Sequence, residues 1–115
     1  MITRAKECKV ELREHMRNGD GTVKITSLAS AADLYQKGRM FANITLLPGC
    51  GIGYHVHEKE SEFFYIIKGN AVYNDNGKET VLCAGDVSIT ASGEGHSIMN
   101  KSDENVEIVA LIILK

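Results

Sequence analysis

The sequence predicts an all-β fold, a double-sheet jelly roll or small barrel with little helix, and three observations carry that reading. From Arg39 to the end, short apolar-rich runs follow one another with turn residues between them. Asp75-Asn76-Gly77 supplies the Asn-Gly pair of a tight hairpin. Pro48 is the one proline, so nothing interrupts those runs from within.

Taken in order, residues 1–21 read as an N-terminal extension and residues 22–115 as a single barrel. In the extension Ala5, Cys8, Leu12 and Met16 share one helical face, while Cys8, Val10 and Leu12 also alternate as a strand would. The sequence leaves both open. Asn18-Gly19-Asp20-Gly21 is a strong turn signal, and Thr22 to Ser27 reads as a strand. Ser30-Ala31-Ala32-Asp33 resembles a capping box, which predicts a short helix over Ala31 to Lys37 stopped by Gly38. Strands are then expected over Met40–Leu47, Ile52–His57, Glu62–Lys68, Asn70–Asn74, Lys78–Cys83, Asp86–Thr90, His96–Asn100 and Val106–Leu114.

Two of these strands are apolar on both faces. Phe63-Phe64-Tyr65-Ile66-Ile67 and Ile108 to Leu114 have no polar side for water. One face of each belongs to the interior; the other needs cover from the chain's own N-terminal segment, from the second sheet or from a second subunit. A two-fold homodimer is the expected answer, with the extension contributing.

Composition narrows the classes of function. Thirteen basic against fifteen acidic residues give a net charge of −2, and no Lys/Arg cluster stands out. Nucleic-acid and membrane partners therefore lack their usual electrostatic basis. The first twenty-one residues are too charged for a secretory signal, and no apolar run approaches a membrane span. Cys8, Cys50 and Cys83 are an odd number without CxxC spacing, which fits reduced thiols and a cytoplasmic protein.

Chemistry concentrates in Gly49 to Gly69. His55 and His57 stand at i and i+2 and so project from one strand face. Glu62 returns beside them if the chain turns over residues 57–61 and starts a new strand. Imidazole with carboxylate suits manganese, iron, nickel or zinc, whereas calcium and magnesium prefer all-oxygen shells. His96, opening an alternating run to Asn100 behind Gly93-Glu94-Gly95, is the candidate for a fourth ligand.

At these residues the chain resembles the cupin superfamily. Gly49, His55, His57, Glu62 and Gly69 fill every fixed position of the first cupin motif. Gly85, Gly93, His96 and Asn100 match the second, with Ala91 where that motif has proline. Only Asn70 to Ala84 separate the two, as in compact single-domain microbial members. The resemblance implies a jelly-roll barrel of the double-stranded β-helix type, with one divalent transition metal held by His55, His57, Glu62 and His96. It also implies a small-molecule ligand, since four protein donors leave two positions of an octahedral ion free.

By parity with those ligands, Phe64, Ile66, Ile98 and Asn100, with Tyr54 and Asn43 as weaker candidates, would line a largely apolar pocket. Glu94 is a candidate acid at its mouth, and His15 reads as a surface histidine. Two functions follow: a metal-dependent dioxygenase, decarboxylase or isomerase acting on a small oxygen-rich molecule, or a non-catalytic binding or sensing module. Oxalate decarboxylases of this superfamily typically carry an arginine three residues before the first motif histidine and a glutamate on a lid loop. Here Ile52 occupies the first position and no lid-sized insertion is visible, both of which argue against that reaction.

Overall fold

The computed structural model describes residues 1–115, and alternation of side chains organises nearly all of it. Ten strands form: β1 (Val10–Glu14), β2 (Thr22–Ala29), β3 (Gly38–Leu46), β4 (Gly51–Val56), β5 (Glu60–Lys68), β6 (Asn70–Asp75), β7 (Lys78–Cys83), β8 (Val87–Thr90), β9 (Gly95–Met99) and β10 (Val106–Leu114). They make a six-stranded sheet in the order β1-β2-β3-β10-β5-β8 and a four-stranded sheet in the order β4-β9-β6-β7. Every pairing is antiparallel.

The inward positions of both sheets meet in one core. Ala42, Ile44 and Leu46 of β3 face Val106, Ile108 and Ala110 of β10 in the same sheet, and Phe64 and Ile66 of β5 extend the layer. Ile52, Ala71, Tyr73 and Ile98 close it from the four-stranded sheet. Each large side chain fully buried in this way contributes about 1.5–3 kcal/mol by leaving water. The Asn-Gly signal is used as expected. Asn76 (φ 52°) and Gly77 (φ 97°) take the two left-handed positions of the turn joining β6 to β7.

The doubly apolar strands behave as their pattern required. Phe64, Ile66, Ile108, Ala110 and Ile112 are buried, while Tyr65 and Ile67 of β5 are exposed beside Val87 and Ile89 of β8, and Leu114 at the end of β10 is exposed too. The outer face of the six-stranded sheet is therefore apolar at its β5–β8 end.

One local expectation fails. Residues 31–37 form turns rather than a helix. The capping bonds do form, Ser30 N–H donating to Asp33 Oδ2 at 2.9 Å and Asp33 N–H to Ser30 Oγ at 3.1 Å. The segment is closed almost at once, because Gln36 N–H reaches Ala31 O and Tyr35 N–H reaches Ala32 O. That pair of bonds is a Schellman ending, with Tyr35 (φ 54°) in the left-handed position that glycine usually holds. Both caps sit within a single turn, so no helix propagates.

The N-terminal segment takes the alternating option. β1 pairs with β2 from Val10↔Thr26 to Glu14↔Thr22 and forms the edge of the six-stranded sheet. A short 3-10 turn, Met16–Asn18, follows it and packs on β4. No helix is long and apolar enough to cross a membrane.

Candidate metal centre

Strand pairing brings the four sequence-predicted donors together. β4 and β9 pair with His55 opposite His96, and β5 places Glu62 between Thr90 of β8 and Ile112 of β10. His57 follows β4 and is tied to the loop before β9, its N–H donating to Glu94 O at 3.0 Å and its carbonyl accepting from Gly93 N–H at 2.7 Å. One ligand atom from each of His55, His57, Glu62 and His96 lies within 4.8 Å of the others. His57, Glu62 and His96 are buried; His55 is half-buried.

Hydrogen bonds on the far side of each ring decide what the cluster presents. His55 Nδ1 lies 2.8 Å from Gly53 O, which can only accept, so Nδ1 carries the proton and Nε2 a bare lone pair. His57 Nδ1 lies 2.6 Å from Glu60 Oε2, with the same consequence. Glu60 is a secure acceptor: the Arg39 guanidinium grips both its oxygens at 2.7 Å and brings its pKa down to about 2. His96 Nδ1 is held by Tyr73 Oη at 2.7 Å and Thr90 Oγ1 at 2.9 Å. Its ring also stacks on Phe64, with centroids 5.0 Å apart.

The atoms that converge are three imidazole Nε2 and a carboxylate oxygen. His57 Nε2 and His96 Nε2 are 3.1 Å apart, His96 Nε2 and His55 Nε2 3.2 Å, and Glu62 Oε1 sits 3.1 Å and 3.0 Å from the first two. Crowded at one buried spot, these four atoms can share protons as hydrogen bonds, or all four can turn their lone pairs on one cation. This donor set, nitrogen-rich with one carboxylate, fits a divalent transition metal, and each imidazole has the outer partner that ligating histidines commonly have.

In the metal-free site the contacts act as hydrogen bonds and set the titration. Burial pulls His55 below its ordinary value, aided by the two neighbouring imidazoles. The hydrogen bond to Glu62 raises His57 against its burial, with Glu60 adding to it. Burial pushes Glu62 up, but its bonds with His57 and His96 outweigh that and leave the carboxyl below its ordinary value.

The cavity beside the cluster has walls that the sequence parity rule did not find. Phe64, Ile66, Ile98 and Asn100 are all fully buried in packed structure rather than on the cavity. Asn100 braces a loop, its amide donating to Leu46 O and Glu104 O and its oxygen accepting from Ser102. Tyr54 points to the other face of β4, against Gly95. Asn43 lies on the outer face of β3, away from the cluster. Glu94 accepts from Ala91 N–H and Asn76 Nδ2 and is spent on the turn. His15 is exposed, as expected.

The actual lining combines Met16, Met40, Ile44, Ile52 and Ile112 with Arg13, Arg17 and Arg39, around His55, His57 and Glu62. The expectation of few polar groups beside the metal is thus corrected: three arginines line the cavity. Two come from the N-terminal segment and one from the start of β3, and neither element shares a face with the ligands in the sequence. The enclosed volume is about 40 Å³, room for roughly three waters or a similarly small ligand.

Comparison with known proteins agrees with this architecture. Residues 42–112 match the sequence profile of the family described as "Cupin domain". An "Oxalate-binding protein" of Thermotoga maritima is 43% identical over 114 residues, covering 99% of this chain and 94% of that protein. The crystal structure of a "predicted oxalate decarboxylase" from T. maritima superposes with a TM-score of 0.95 at 43% identity, covering 100% of both chains. A Klebsiella pneumoniae protein with a double-stranded β-helix domain shares the fold at TM-score 0.72 and 24% identity, over 98% of this chain and 89% of its own. With two facing sheets, both motifs in place and the four donors gathered at one point, the chain belongs to the cupin family.

Proposed function

We propose that the protein binds one divalent transition metal through His55, His57, Glu62 and His96 and uses it to hold a small carboxylate. Manganese, iron, nickel and zinc all suit the donor set. The observation that supports the reading best is the combination of four convergent metal-ligand atoms with three arginines lining the cavity beside them. Guanidinium groups match carboxylates in shape as well as charge. They also stand in for the arginine missing at Ile52. The relative named as oxalate-binding makes oxalate the first ligand to try.

Bound there, the metal would supply a Lewis-acid centre for carboxylate oxygens. The residues present favour holding over turnover. Glu62 is the single carboxylate in the lining, Glu60 is locked between Arg39 and His57, and Glu94 is spent on its turn. No side chain in the cavity is left as a free proton donor for a decarboxylase. We read the protein as a ligand-binding cupin rather than an enzyme.

The test is elemental analysis of protein purified without chelator, followed by calorimetric titration with oxalate, with and without chelator. One metal per chain, oxalate binding that vanishes on chelation and in His57→Ala, and no carbon dioxide release are expected. Absence of stoichiometric metal after addition of manganese, iron, nickel or zinc would sink the proposal, as would chelator-insensitive oxalate binding.

The same reading includes a homodimer through the outer face of the six-stranded sheet, where Tyr65, Ile67, Val87 and Ile89 are exposed together. Contiguous apolar surface of this kind usually marks an interface. Light scattering should give twice the chain mass, and Val87→Glu should give a monomer; a monomeric parent at micromolar concentration would contradict it. The three unpaired thiols, Cys8, Cys50 and Cys83, fit a reducing, cytoplasmic setting.

A further inference from the structure

We infer that Arg17 makes the site select dianionic ligands over monoanionic ones, an inference that rests on the carboxylate-binding reading above. It follows from a count of charges around the cavity. Arg39 is matched by Glu60, through two contacts of 2.7 Å. Arg13 is matched by Glu11 at 2.8 Å. Arg17 lines the same cavity, and neither an ion pair nor a side-chain hydrogen bond engages it. Glu62 offsets one of the two charges of a divalent metal. The loaded site therefore holds two positive charges without partners, one at the metal and one at Arg17. A dicarboxylate supplies two negative charges, whereas a monocarboxylate leaves one cation bare.

The backbone at Arg17 is held for this task. Arg17 has φ 54° and ψ 36°, and His15 and Asn18 are left-handed as well. Side-chain-bearing residues rarely adopt that conformation, and it persists only where the surroundings over-determine it. Here they do. Asn18 N–H donates to His15 O, Gly19 N–H to Met16 O, His15 N–H to Gly21 O, and Gly51 N–H to Asp20 O. Gly53 of β4 lies directly under the carbonyl of Arg17. The turn that carries the guanidinium is thereby pinned to the strand that carries His55.

Two-carbon ligands of different charge provide the test. Protein brought to one manganese per chain, checked by elemental analysis, is titrated by calorimetry with oxalate and with glycolate. The parent should prefer oxalate, and Arg17→Ala should lower oxalate affinity about tenfold, as loss of a charge-assisted contact does. Glycolate affinity should fall by less than about twofold, so the preference shrinks. Arg17→Lys, which keeps the charge, should recover most of it, and rising salt should erode the preference in the parent more than in Arg17→Ala. Circular dichroism verifies the fold of each variant, and Arg17→Gln serves in place of Arg17→Ala if the latter does not fold. Equal losses for both ligands, no loss for either, or a parent without preference would overturn the role of Arg17. Metal-free parent protein, or oxalate binding without metal, would instead overturn the underlying reading.

Discussion

On one part of the cavity wall stand His55, His57 and Glu62; on another stand Arg13, Met16 and Arg17. The first group sits on or beside β4 and β5, whose inner faces meet the core, and His57 and Glu62 are almost completely buried. His55 and His57 are fixed by donating Nδ1–H to Gly53 O and Glu60 Oε2, and the neighbouring His96 by its contacts with Tyr73 and Thr90. The second group sits on an edge strand exposed along its whole length and on a 3-10 turn. One wall is rigid and rich in acceptors, the other peripheral and cationic. On the proposed reading the contrast is a division of labour: the barrel interior gathers the ligands for a cation, and the N-terminal segment would supply positive charge for what that cation holds.

The sharpest way to break this division is at Glu60, which touches both sides. It fixes His57 through a 2.6 Å bond and is itself gripped by the cavity residue Arg39. Glu60→Gln retains the shape but gives up the charge that holds His57 Nδ1–H and Arg39. Metal affinity should fall by about 10–100-fold, the usual cost of removing an outer partner of a ligating histidine. Competition titration against a fluorescent chelator measures it. An unchanged metal affinity would show that the barrel wall needs no such support.

Protons test the same wall more gently. His57 is raised above its ordinary value of 6.5 by Glu62, so in the metal-free protein its protonated form contributes stability that is fully present below pH 6.5 and lost as pH rises through the raised value. Metal needs the neutral ring, so metal-linked stabilisation runs the other way and grows with pH. Glu60, at about 2, stays ionised throughout, and burial keeps His55 neutral further into acid. Below the raised value His57 competes for its proton, and apparent manganese affinity should fall roughly tenfold per pH unit for one displaced proton. Titrations followed by electron paramagnetic resonance read this directly, and a flat response between about pH 7 and about pH 5 would remove the histidines from the site.

How much could be read in advance follows the same line. His55, His57, Glu62 and His96 were legible because strand alternation and a short turn fix their relations over a few residues, and glycines frame each motif. The strands from β2 onward were legible for the same reason, with ends shifted by at most two residues, whereas β1 was left open between helix and strand. The short helix misled because Ser30 and Asp33 do form their capping bonds, while the left-handed Tyr35 that ends the segment carries no glycine to announce it. Arg13, Arg17 and Arg39 were not legible. Arg13 and Arg17 reach the cavity through β1 pairing with β2 and the turn packing on β4, and Arg39 through β3 pairing with β10, long-range closures that no local spacing encodes. Parity with the ligands pointed instead to Phe64 and Ile66, which share a face with Glu62 but lie deeper, in the core.

Gly53 offers the finest test, because it joins the two walls. Its φ is ordinary; what requires glycine is proximity. A Cβ there would run into the carbonyl oxygen of Arg17 and come within 2.9 Å of Gly19 N. Both are backbone atoms, so the turn has to move rather than a flexible side chain. His55, two residues along the strand, would keep its place, since its pairing with His96 belongs to the barrel. Gly53→Ala should therefore retain one metal per chain while displacing the turn that carries Arg17. An overpacking cost of about 1 kcal/mol, at the low end for such changes, corresponds to about a fivefold loss of oxalate affinity if it falls on the bound arrangement. Metal analysis beside calorimetry separates the outcomes. Metal lost along with oxalate would mean that the N-terminal turn supports the ligand set itself, and neither lost would mean that the cationic wall works without a fixed turn.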